Sequence, residues 1–580
     1  MSRNKQKLEL TWIGKDKRPR LEPRILLEDP EKSYHAEELY SDQDIFDNMI
    51  IHGDNLLALK ALEADYTGQI KCIYIDPPYN TGNAFENYED GLEHSIWLSL
   101  MRDRLLILHN LLSEDGFFCC QIDDGEGAYL KVLLDEIFGR QNHLTTFYVQ
   151  VRYGNKTLSE DNDYQKVIEQ CFIYAKDVKL AKAVKEKEPY KIEKFEWEIK
   201  ELEKGEVINI GGKRVEIFKP HQYEITKVKP HLGGLKETWA TGSLVRQSGS
   251  SGEFLDKNLA PRKEIDGLSC LYKVDGIGED GLGYRYMTGP KKSTATKGKF
   301  YSGIPIKTLE AIKKGEADKE KPIENFYDLA GSFGNCRHEG AVDFRGGKKP
   351  ERLLQLILNH FSREGDLVLD SFGGSGTTAA VAHKMRRQWI TVELRDQAFT
   401  HIQPRLSRII SGEDQAGVSE ELFWKGGGGF RYYRLGPSML EKDKWDNWVI
   451  SKDYNAGMLT EAMCKHMGFT YAPDENYYWM HGQSSETDFI YVTTSSLTHE
   501  QLRAISEEVG PKRTLLICCK AFNANAESFD NLTLKKIPQA VLTKCEWGKD
   551  DYSLNVAKLQ PAESDDQAEP DLFEQEIEEA

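Results

Sequence analysis

Four consecutive residues, Asp76-Pro77-Pro78-Tyr79, combine two hydrogen-bond acceptors with a flat aromatic ring. An exocyclic amino group of a nucleobase is a poor nucleophile, because its lone pair is delocalised into the ring. Acceptors on its N–H bonds localise that lone pair; the Asp76 carboxylate and the Pro77 carbonyl could serve, with Pro78 stiffening the turn. A base extruded from a duplex could stack on Tyr79, a contact worth about 1–3 kcal/mol. The simpler interpretation is a rigid turn with a solvated aspartate.

A second polar cluster lies almost three hundred residues later in the chain. Asp370 ends the apolar run 367–369, the glycine-rich stretch 371–376 follows, and Glu393 ends the next apolar run, 23 residues after Asp370. Glycines let a backbone approach a ligand closely, and an acid at the end of the next strand can accept from two ribose hydroxyls. No lysine follows the glycines, so a Walker phosphate loop is excluded. The pattern predicts an adenosine-containing ligand.

Both clusters follow short apolar, β-branched runs, which predict buried strands. Prolines, asparagine and glycine stop the first strand, so its polar residues must lie in a loop at the carboxyl end. The predicted elements are strands over 71–75, 117–122, 367–370 and 389–392, and helices over 96–112 and 377–385. The order strand, helix, strand indicates an α/β fold, in which ligands bind at the carboxyl ends of the strands.

Three features together make the chain similar to a known family: the Asp76-Pro77-Pro78-Tyr79 motif, the loop 372–376, and their order along the chain. The chain resembles the β class of amino-methylating, S-adenosylmethionine-dependent DNA methyltransferases, in which the catalytic motif precedes the cofactor motif. It is similar in particular to the Mod subunit of type III restriction–modification systems, most densely over 45–180 and 330–410. The resemblance implies an α/β, Rossmann-like S-adenosylmethionine-dependent methyltransferase fold that is circularly permuted, with an inserted target-recognition domain and a C-terminal α/β domain.

The resemblance also implies roles for individual residues. Asp76, Pro77, Pro78 and Tyr79 would be catalytic and would hold the target base. The residues expected to bind the cofactor, S-adenosyl-L-methionine, are Asp54, Lys349, Asp370, Phe372, Gly373, Gly374, Gly376, Thr377 and Glu393. Asp54 would contact the adenine and Glu393 the ribose. Whether Lys348 or Lys349 acts beside the cofactor stays open at this point.

Changes of composition and the spread of the resemblance predict the domain organisation. The domains are an N-terminal arm (1–45), a catalytic half (46–178), a target-recognition domain (179–329), a cofactor half (330–412), a C-terminal α/β domain for assembly or partner docking (413–560) and a disordered acidic tail (561–580). Within them, the sequence predicts a helix or solvated linker over 179–204, strands over 488–492, 514–518 and 540–542, and a helix over 497–509. Asp123 ends a predicted strand and is interpreted as a helix N-cap.

A local basic region survives the overall formal charge of −18, because residues 211–310 contain 17 basic and 11 acidic side chains. Basic residues among aromatics suit contacts with the backbone of double-stranded DNA. The residues expected to contact phosphates are Lys291, Lys292, Lys297 and Lys299. Arg246 and Gln247 are candidates for reading bases.

The sequence therefore predicts a site-specific methyltransferase that modifies adenine N6 in duplex DNA by base flipping and direct transfer. Cytosine N4 is the alternative target, and a catalytically silent DNA-recognition subunit of a phage-defence complex is the alternative function. By analogy, a homodimer and a helicase–nuclease restriction subunit are the expected partners. No segment reaches the length of a membrane span, and Cys and His do not cluster at metal-binding spacing, so a cytoplasmic protein without a metal is predicted.

Overall fold

The computed structural model describes residues 9–79, 90–154, 164–240, 249–315, 318–342, 344 and 347–553. The candidates Arg246 and Gln247 and the acidic tail lie outside these ranges. The chain divides into two compact units. Unit 1 comprises Met1–Val184 and Glu324–Ala580, and unit 2 comprises Lys185–Ile323.

The first part of unit 1 alternates strands and helices. Its elements are β1 (Leu26–Glu28), β2 (Tyr34–His35), β3 (Asn48–His52), α1 (Asn55–Tyr66), β4 (Ile70–Ile75), α2 (Asp90–Leu111), β5 (Leu112–Ile122), α3 (Asp124–Leu134), β6 (His143–Gln150) and β7 (Ile168–Ala175). The predicted helix over 96–112 is thus the later part of α2, and the predicted strand over 117–122 is the later part of β5. Asp123 caps α3, because its carboxylate accepts from the Gly125 N–H at 3.0 Å, which confirms the interpretation from the sequence.

Unit 2 is largely antiparallel. Its elements are β8 (Lys187–Pro189), β9 (Trp197–Glu201), β10 (Glu206–Ile210), β11 (Lys213–Phe218), β12 (Tyr223–Lys227), β13 (Lys236–Trp239), α4 (Ser251–Phe254), α5 (Lys263–Asp266), β14 (Leu271–Asp275), β15 (Tyr284–Thr288), β16 (Lys299–Ser302), α6 (Ile306–Lys314) and β17 (Asp318–Glu320). Six strands form a sheet in the order β10-β11-β14-β15-β16-β13, and β12–β9 and β17–β8 form two-stranded ribbons. The prediction of a helix or linker over 179–204 is wrong where β8 and β9 lie, because the mixed charge there belongs to exposed ribbon strands.

The second part of unit 1 carries the glycine-rich loop and the C-terminal region. Its elements are β18 (Phe326–Asp328), α7 (Ala330–Asn335), α8 (Glu351–Phe361), β19 (Leu367–Asp370), α9 (Thr377–Lys384), β20 (Gln388–Glu393), α10 (Gln403–Ile410), β21 (Gly429–Leu435), β22 (Leu440–Lys442), β23 (Trp448–Ile450), α11 (Ala456–Met467), β24 (Thr470–Tyr471), β25 (Gly482–Gln483), β26 (Asp488–Val492), β27 (Ser496–Thr498), α12 (His499–Val509), β28 (Thr514–Cys519), β29 (Ala521–Asn523) and β30 (Leu532–Lys536).

One eleven-stranded sheet joins the two parts of unit 1, and its order is β1-β21-β3-β20-β19-β4-β5-β7-β6-β18, with β2 beside β21. From β21 to β5 the neighbouring strands are parallel, whereas β7 runs antiparallel to both β5 and β6. β19 pairs with β4, so the strand before the glycine-rich loop lies beside the strand before Asp76. This is the Rossmann-like, circularly permuted arrangement that the resemblance implied.

The parallel strands are buried on both faces, which explains their nearly continuous apolar sequences. β4 and β19 are almost wholly inaccessible to solvent, and helices such as α1 and α2 contribute Leu59, Trp97 and Leu105 to the surrounding core. The polar residues that follow these strands are therefore held at the carboxyl edge of a rigid sheet, where α/β proteins bind ligands.

The sheet extends beyond two predicted domain boundaries. β1 lies within the predicted N-terminal arm, and β21 lies within the predicted C-terminal domain, yet both belong to the main sheet. The boundaries at 45 and 412 are therefore wrong for the sheet, because pairing of distant strands leaves no mark on local composition. The C-terminal region adds a five-stranded sheet in the order β24-β25-β26-β28-β30. The strands over 488–492 and 514–518 and the helix are present, but residues 540–542 form a turn, and β30 is the strand instead.

Within the described part of the chain, no helix has the length and apolar character needed to cross a membrane. All ten cysteines are buried and free, as expected for reduced thiols.

Candidate functional site

A cavity of about 550 Å³ lies at the carboxyl ends of β4, β19 and β20. It brings together every predicted catalytic and cofactor-binding residue except Asp54 and Gly376. The predicted residues that line it are Asp76, Pro77, Pro78, Tyr79, Lys349, Asp370, Phe372, Gly373, Gly374, Thr377 and Glu393. The two clusters that are far apart in sequence therefore form one site, because β4 and β19 are neighbours in the sheet.

The loop after β4 is held by a hydrogen bond from α2 as well as by its own prolines. The Trp97 indole N–H of α2 donates to the Pro78 carbonyl at 2.8 Å. The Asp76 side chain is 21% exposed; its Oδ2 atom lies 3.2 Å from the Lys349 ammonium. Its Oδ1 atom is buried and accepts no hydrogen bond from any residue that the structure describes. A buried acceptor without a partner is a place for a ligand's donor.

Lys349 links the two halves of the site. Its ammonium donates to the Tyr79 hydroxyl at 2.7 Å and lies 4.7 Å from the centre of the Tyr79 ring. Lys348 points elsewhere, because its ammonium donates to the carbonyls of Glu339 and Val342 at 2.6 and 3.2 Å. The choice between the two lysines, which the sequence leaves open, is thereby made in favour of Lys349.

Glu169 of β7 completes this cluster, and the sequence analysis missed it. Its Oε2 atom accepts from the Tyr79 hydroxyl at 2.9 Å and from the Gln121 amide at 2.5 Å, and it lies 3.2 Å from the Lys349 ammonium. No motif surrounds Glu169, and it stands ninety residues after Tyr79. The only sequence signal is an acid within an apolar strand.

The charges of this cluster perturb one another. Burial raises the pKa of Asp76, the Lys349 ammonium opposes that rise, and the Glu169 carboxylate adds to it. Burial alone would lower the pKa of Lys349, but the carboxylates of Asp76 and Glu169 raise it above its ordinary value. Burial raises the pKa of Tyr79 well above its ordinary value, so its hydroxyl stays protonated. Perturbed groups that share a cavity are typical of functional sites.

The glycine-rich loop needs its glycines for two separate reasons. Gly374 and Gly376 have φ values of +53° and +76°, which side chains rarely adopt. Gly373 lies against β20, where a Cβ atom would come within 2.6 Å of the Thr391 hydroxyl. Gly376 itself lies outside the cavity lining; it supports the turn, since its N–H donates to the Gly373 carbonyl at 2.7 Å.

Two acids flank this loop. The Glu393 carboxylate accepts from the backbone N–H groups of Gly374 and Arg395 at 2.8 and 3.1 Å, and burial raises its pKa. Asp370 accepts from the Phe372 N–H at 2.9 Å and from the Thr378 hydroxyl at 2.5 Å, and burial raises its pKa to about 7. Both carboxylates therefore shape the loop and line the cavity at the same time.

The cavity fits an adenosine-containing cofactor in size and in unsatisfied polar atoms. The Ser371 hydroxyl and the Gln397 carbonyl are buried and, among the described residues, have no hydrogen-bond partner. Both residues line the cavity, as do the Asn55 and Arg104 side chains. Buried polar groups normally have partners, so these atoms are suited to the hydroxyls and amines of a bound ligand.

Asp54 has partners within the fold and lies outside the cavity lining. Its Oδ1 atom accepts from the N–H groups of Leu56 and Leu57 at 2.9 and 3.2 Å, so it caps α1. Its Oδ2 atom accepts from the Tyr552 N–H at 2.9 Å and lies 3.5 Å from the Arg104 guanidinium. The residue does not line the cavity. The contact with a cofactor adenine stays a prediction, because a carboxylate oxygen that has one partner can still accept a second hydrogen bond.

The four lysines predicted to contact DNA differ in unit 2. Lys291 and Lys292 are exposed in the loop between β15 and β16. Lys297 forms an ion pair with Asp256 at 2.7 Å. Lys299 forms one with Glu237 at 2.7 Å and lies 4.5 Å from the centre of the Trp239 ring. Only the first two therefore have charges without an ion-pair partner in the structure's described residues.

Comparison with known proteins gives similarities over about two thirds of the chain or more. The chain is 33% identical to the probable type III restriction-modification enzyme HindVI Mod subunit of Haemophilus influenzae, over 69% of this chain and 55% of that protein. It is 28% identical to the EcoPI Mod subunit of Escherichia phage P1, over 66% and 62%, and 26% identical to the EcoP15I Mod subunit of Escherichia coli, over 87% and 85%. The chain thus spans 55% and 62% of the first two of these relatives.

The family model for DNA methylases, N6_N4_Mtase, matches residues 70–404, which include both motifs of the cavity and more than half of the chain. Members of this family use S-adenosylmethionine. The loop after β4 and the loop after β19 both lie within the match. The chain belongs to this family of DNA methylases.

Proposed function

We propose that this chain transfers the methyl group of S-adenosylmethionine to N6 of adenine in duplex DNA. The observation that carries the proposal is the Asp76 Oδ1 atom, which is buried without a partner among the described residues and borders the cavity that also contains the glycine-rich loop. An acceptor in this place suits the N–H of an exocyclic amino group. The family match supports the same chemistry.

The residues of the chain would divide the work in the following way. Asp76 and the Pro77 carbonyl accept from the amino group and localise its lone pair, and Tyr79 presents its ring to the extruded base. Glu393, Ser371 and Gln397 supply hydrogen-bonding groups for the cofactor's adenosine portion. When bound, the cofactor would supply an electrophilic methyl group on a sulfonium, whose thioether leaving group departs neutral. The methylated amino group is acidic and would lose its proton to Asp76 or to solvent, so the site needs no strong general base.

We further propose that the chain is the modification and recognition subunit of a restriction–modification system. The printed names of its relatives, which describe Mod subunits of type III enzymes, support this role. Unit 2 would recognise the DNA sequence, with Lys291 and Lys292 contacting phosphates. A second copy of the chain and a helicase–nuclease subunit are the proposed protein partners.

The deciding experiment is single-molecule sequencing of DNA from cells that express the wild-type chain or the Asp76→Ala variant. We expect N6-methyladenine at one sequence motif in the wild type and none in the variant, because the variant lacks the acceptor. Cofactor affinity of the variant should stay within about tenfold of wild type, since Asp76 acts on the base.

A matched control is Asp115→Ala, which removes an aspartate near the start of the neighbouring strand β5 rather than at the carboxyl end of β4. It should methylate as the wild type does. N4-methylcytosine in place of N6-methyladenine would keep the chemistry and change the target base. No modification in the wild type would contradict the proposal and favour a catalytically silent recognition subunit.

A further inference from the structure

Glu169 is held in the cluster more firmly than a surface carboxylate of a strand would be. Its side chain is 17% exposed, and one oxygen receives the Tyr79 hydroxyl, the Gln121 amide and the Lys349 ammonium. Gln121 in turn accepts from the Tyr74 hydroxyl at 2.8 Å. The carboxylate therefore joins β7, β5 and β4 to the loop that carries Asp76.

The Lys349 ammonium is shared equally, 3.2 Å from an oxygen of Asp76 and 3.2 Å from an oxygen of Glu169. It also lies 4.7 Å from the centre of the Tyr79 ring. The ammonium pairs with Asp76 Oδ2, whereas Oδ1, which has no hydrogen-bond partner among the described residues, stays available for the amino group of a base. An ammonium on the same carboxylate competes with that amino group for its negative charge, so the ammonium must shift away from Asp76 for the carboxylate to act as a strong acceptor.

Space for this movement of the Lys349 ammonium lies beside Glu169. A second cavity of about 500 Å³ is lined by Glu169, Tyr153 and Arg337, and it shares Lys349 with the first cavity. A movement of the ammonium away from Asp76 and towards Glu169 keeps it paired, which matters because an unpaired buried charge is strongly destabilising.

We propose that Glu169 is a positioning residue of the methyl-transfer site: it takes the Lys349 ammonium when the target amino group reaches Asp76, and it holds the Tyr79 hydroxyl in place. This inference rests on the proposed function and adds a residue to it. Glu169 does not line the cavity that contains the glycine-rich loop; it acts through Lys349 and Tyr79.

The test compares Glu169→Gln and Glu169→Asp with the wild type in single-turnover methyl transfer, on a duplex that contains the mapped target site. Asp135→Asn is the matched control, because Asp135 accepts from the Tyr174 hydroxyl and the Lys131 ammonium at 2.7 Å each, at a distance from both cavities. Affinity for S-adenosylhomocysteine is measured by calorimetry, and folding by circular dichroism.

In Glu169→Gln the ammonium keeps only Asp76 as a charged partner and competes with the substrate. The plateau rate should fall about 10–100-fold, while the affinity for S-adenosylhomocysteine changes less than about threefold. The loss of the Glu169 charge lowers the pKa of Asp76, so the acid limb of the rate–pH profile should move to lower pH. Tyr74 and Asp370, which are titratable groups near Asp76, are unchanged in every variant, so they do not cause a difference between the rate–pH profiles. Glu169→Asp should recover most of the plateau rate, and Asp135→Asn should match the wild type.

A Glu169→Gln enzyme with the wild-type plateau rate would overturn the inference. So would a slower enzyme whose acid limb has not moved, because that is the result of a purely structural role. As a second measurement, Glu169→Gln should change the rate less than about twofold in a Lys349→Met background; additive effects would overturn the proposal. A wild-type chain that transfers no methyl group would instead contradict the proposed function, and this inference with it.

Discussion

Three buried polar atoms that have no hydrogen-bond partner among the described residues belong to residues around one cavity. Asp76 Oδ1, Ser371 Oγ and Gln397 Oε1 are of this kind within the described ranges, and all three residues line the cavity beside the glycine-rich loop. An unsatisfied buried polar group costs about 1–3 kcal/mol, and a ligand bound in the cavity can give these three atoms partners. The unpaired atoms therefore lower the stability of the ligand-free protein, and they lie at the site that binds the ligand.

The Ser371→Ala variant tests this relation between stability and binding. Removing a buried hydroxyl that lacks a partner should leave the free energy of unfolding unchanged or raise it by up to about 1 kcal/mol. The same change should weaken cofactor binding roughly five- to tenfold, because one hydrogen bond to the ligand is lost. Urea unfolding and calorimetry measure the two quantities. A destabilised variant with unchanged affinity would contradict the expectation.

At the scale of single residues, most of the candidate site could be predicted from the sequence. The Asp76 motif and the glycine-rich loop were identified because proline, glycine and acid at strand ends have few other uses. Glu169 and Ser371 were not, since their roles depend on which side chains lie opposite them. Lys349 could be distinguished from Lys348 only by direction, which a pair of adjacent lysines does not reveal.

At the scale of single elements, α1 depends on the residue that precedes it. Asp54 caps the helix, accepts from Tyr552 and lies beside the fully buried Arg104, so one side chain joins α1, α2 and the C-terminal region. The resemblance implied a contact with the cofactor for this residue, whereas the structure gives it a structural role. An N-cap and a ligand contact require the same side-chain oxygen, so the residue type alone does not separate them.

Two variants of Asp54 separate the roles. Asp54→Asn keeps an oxygen for the cap and should bind the cofactor within about threefold of wild type. Asp54→Ala removes the cap and the carboxylate that pairs with the buried Arg104, so the free energy of unfolding should fall by about 2–4 kcal/mol. Guanidinium unfolding and calorimetry check both. A stable Asp54→Asn protein that no longer binds the cofactor would support the predicted contact with the adenine.

Apolar runs predicted burial more reliably than element type. The strands over 71–75, 367–370 and 488–492 are present, because β-branched residues fill a buried parallel sheet. The run over 540–542 is apolar as well, and Val541 is fully buried, but it packs from a turn. A short apolar run predicts burial, and a buried turn fulfils that prediction as well as a buried strand does.

At the scale of the whole molecule, a formal charge of −18 coexists with a basic segment inside unit 2. Of the four lysines proposed for DNA, two are already paired with Asp256 and Glu237. Composition counts charges but does not show which acids neutralise them. The exposed pair Lys291 and Lys292 therefore carries the expectation of phosphate contacts.

Replacing Lys291 and Lys292 with Ala should weaken DNA binding and make its dependence on salt concentration shallower, by a slope of about 1 for each lost phosphate contact. Lys535 and Lys536 are an adjacent, exposed pair in β30 and provide the matched control, whose replacement should leave the slope unchanged. Affinities measured at several salt concentrations give the slope for each variant and for the wild type. An unchanged slope for the Lys291 and Lys292 variant would place these residues away from the DNA.

Unit 2 interrupts unit 1 between β7 and β18, and these two strands are separated in the sheet only by β6. At the two ends of unit 2, β8 and β17 pair with Lys187 opposite Glu320, so the chain enters and leaves unit 2 on neighbouring strands. Under the proposed function, unit 2 is therefore an insertion that can be replaced without breaking the sheet of unit 1. Exchange of the inserted segment between relatives would change which DNA sequence is marked, while the strands that carry the chemistry keep their order.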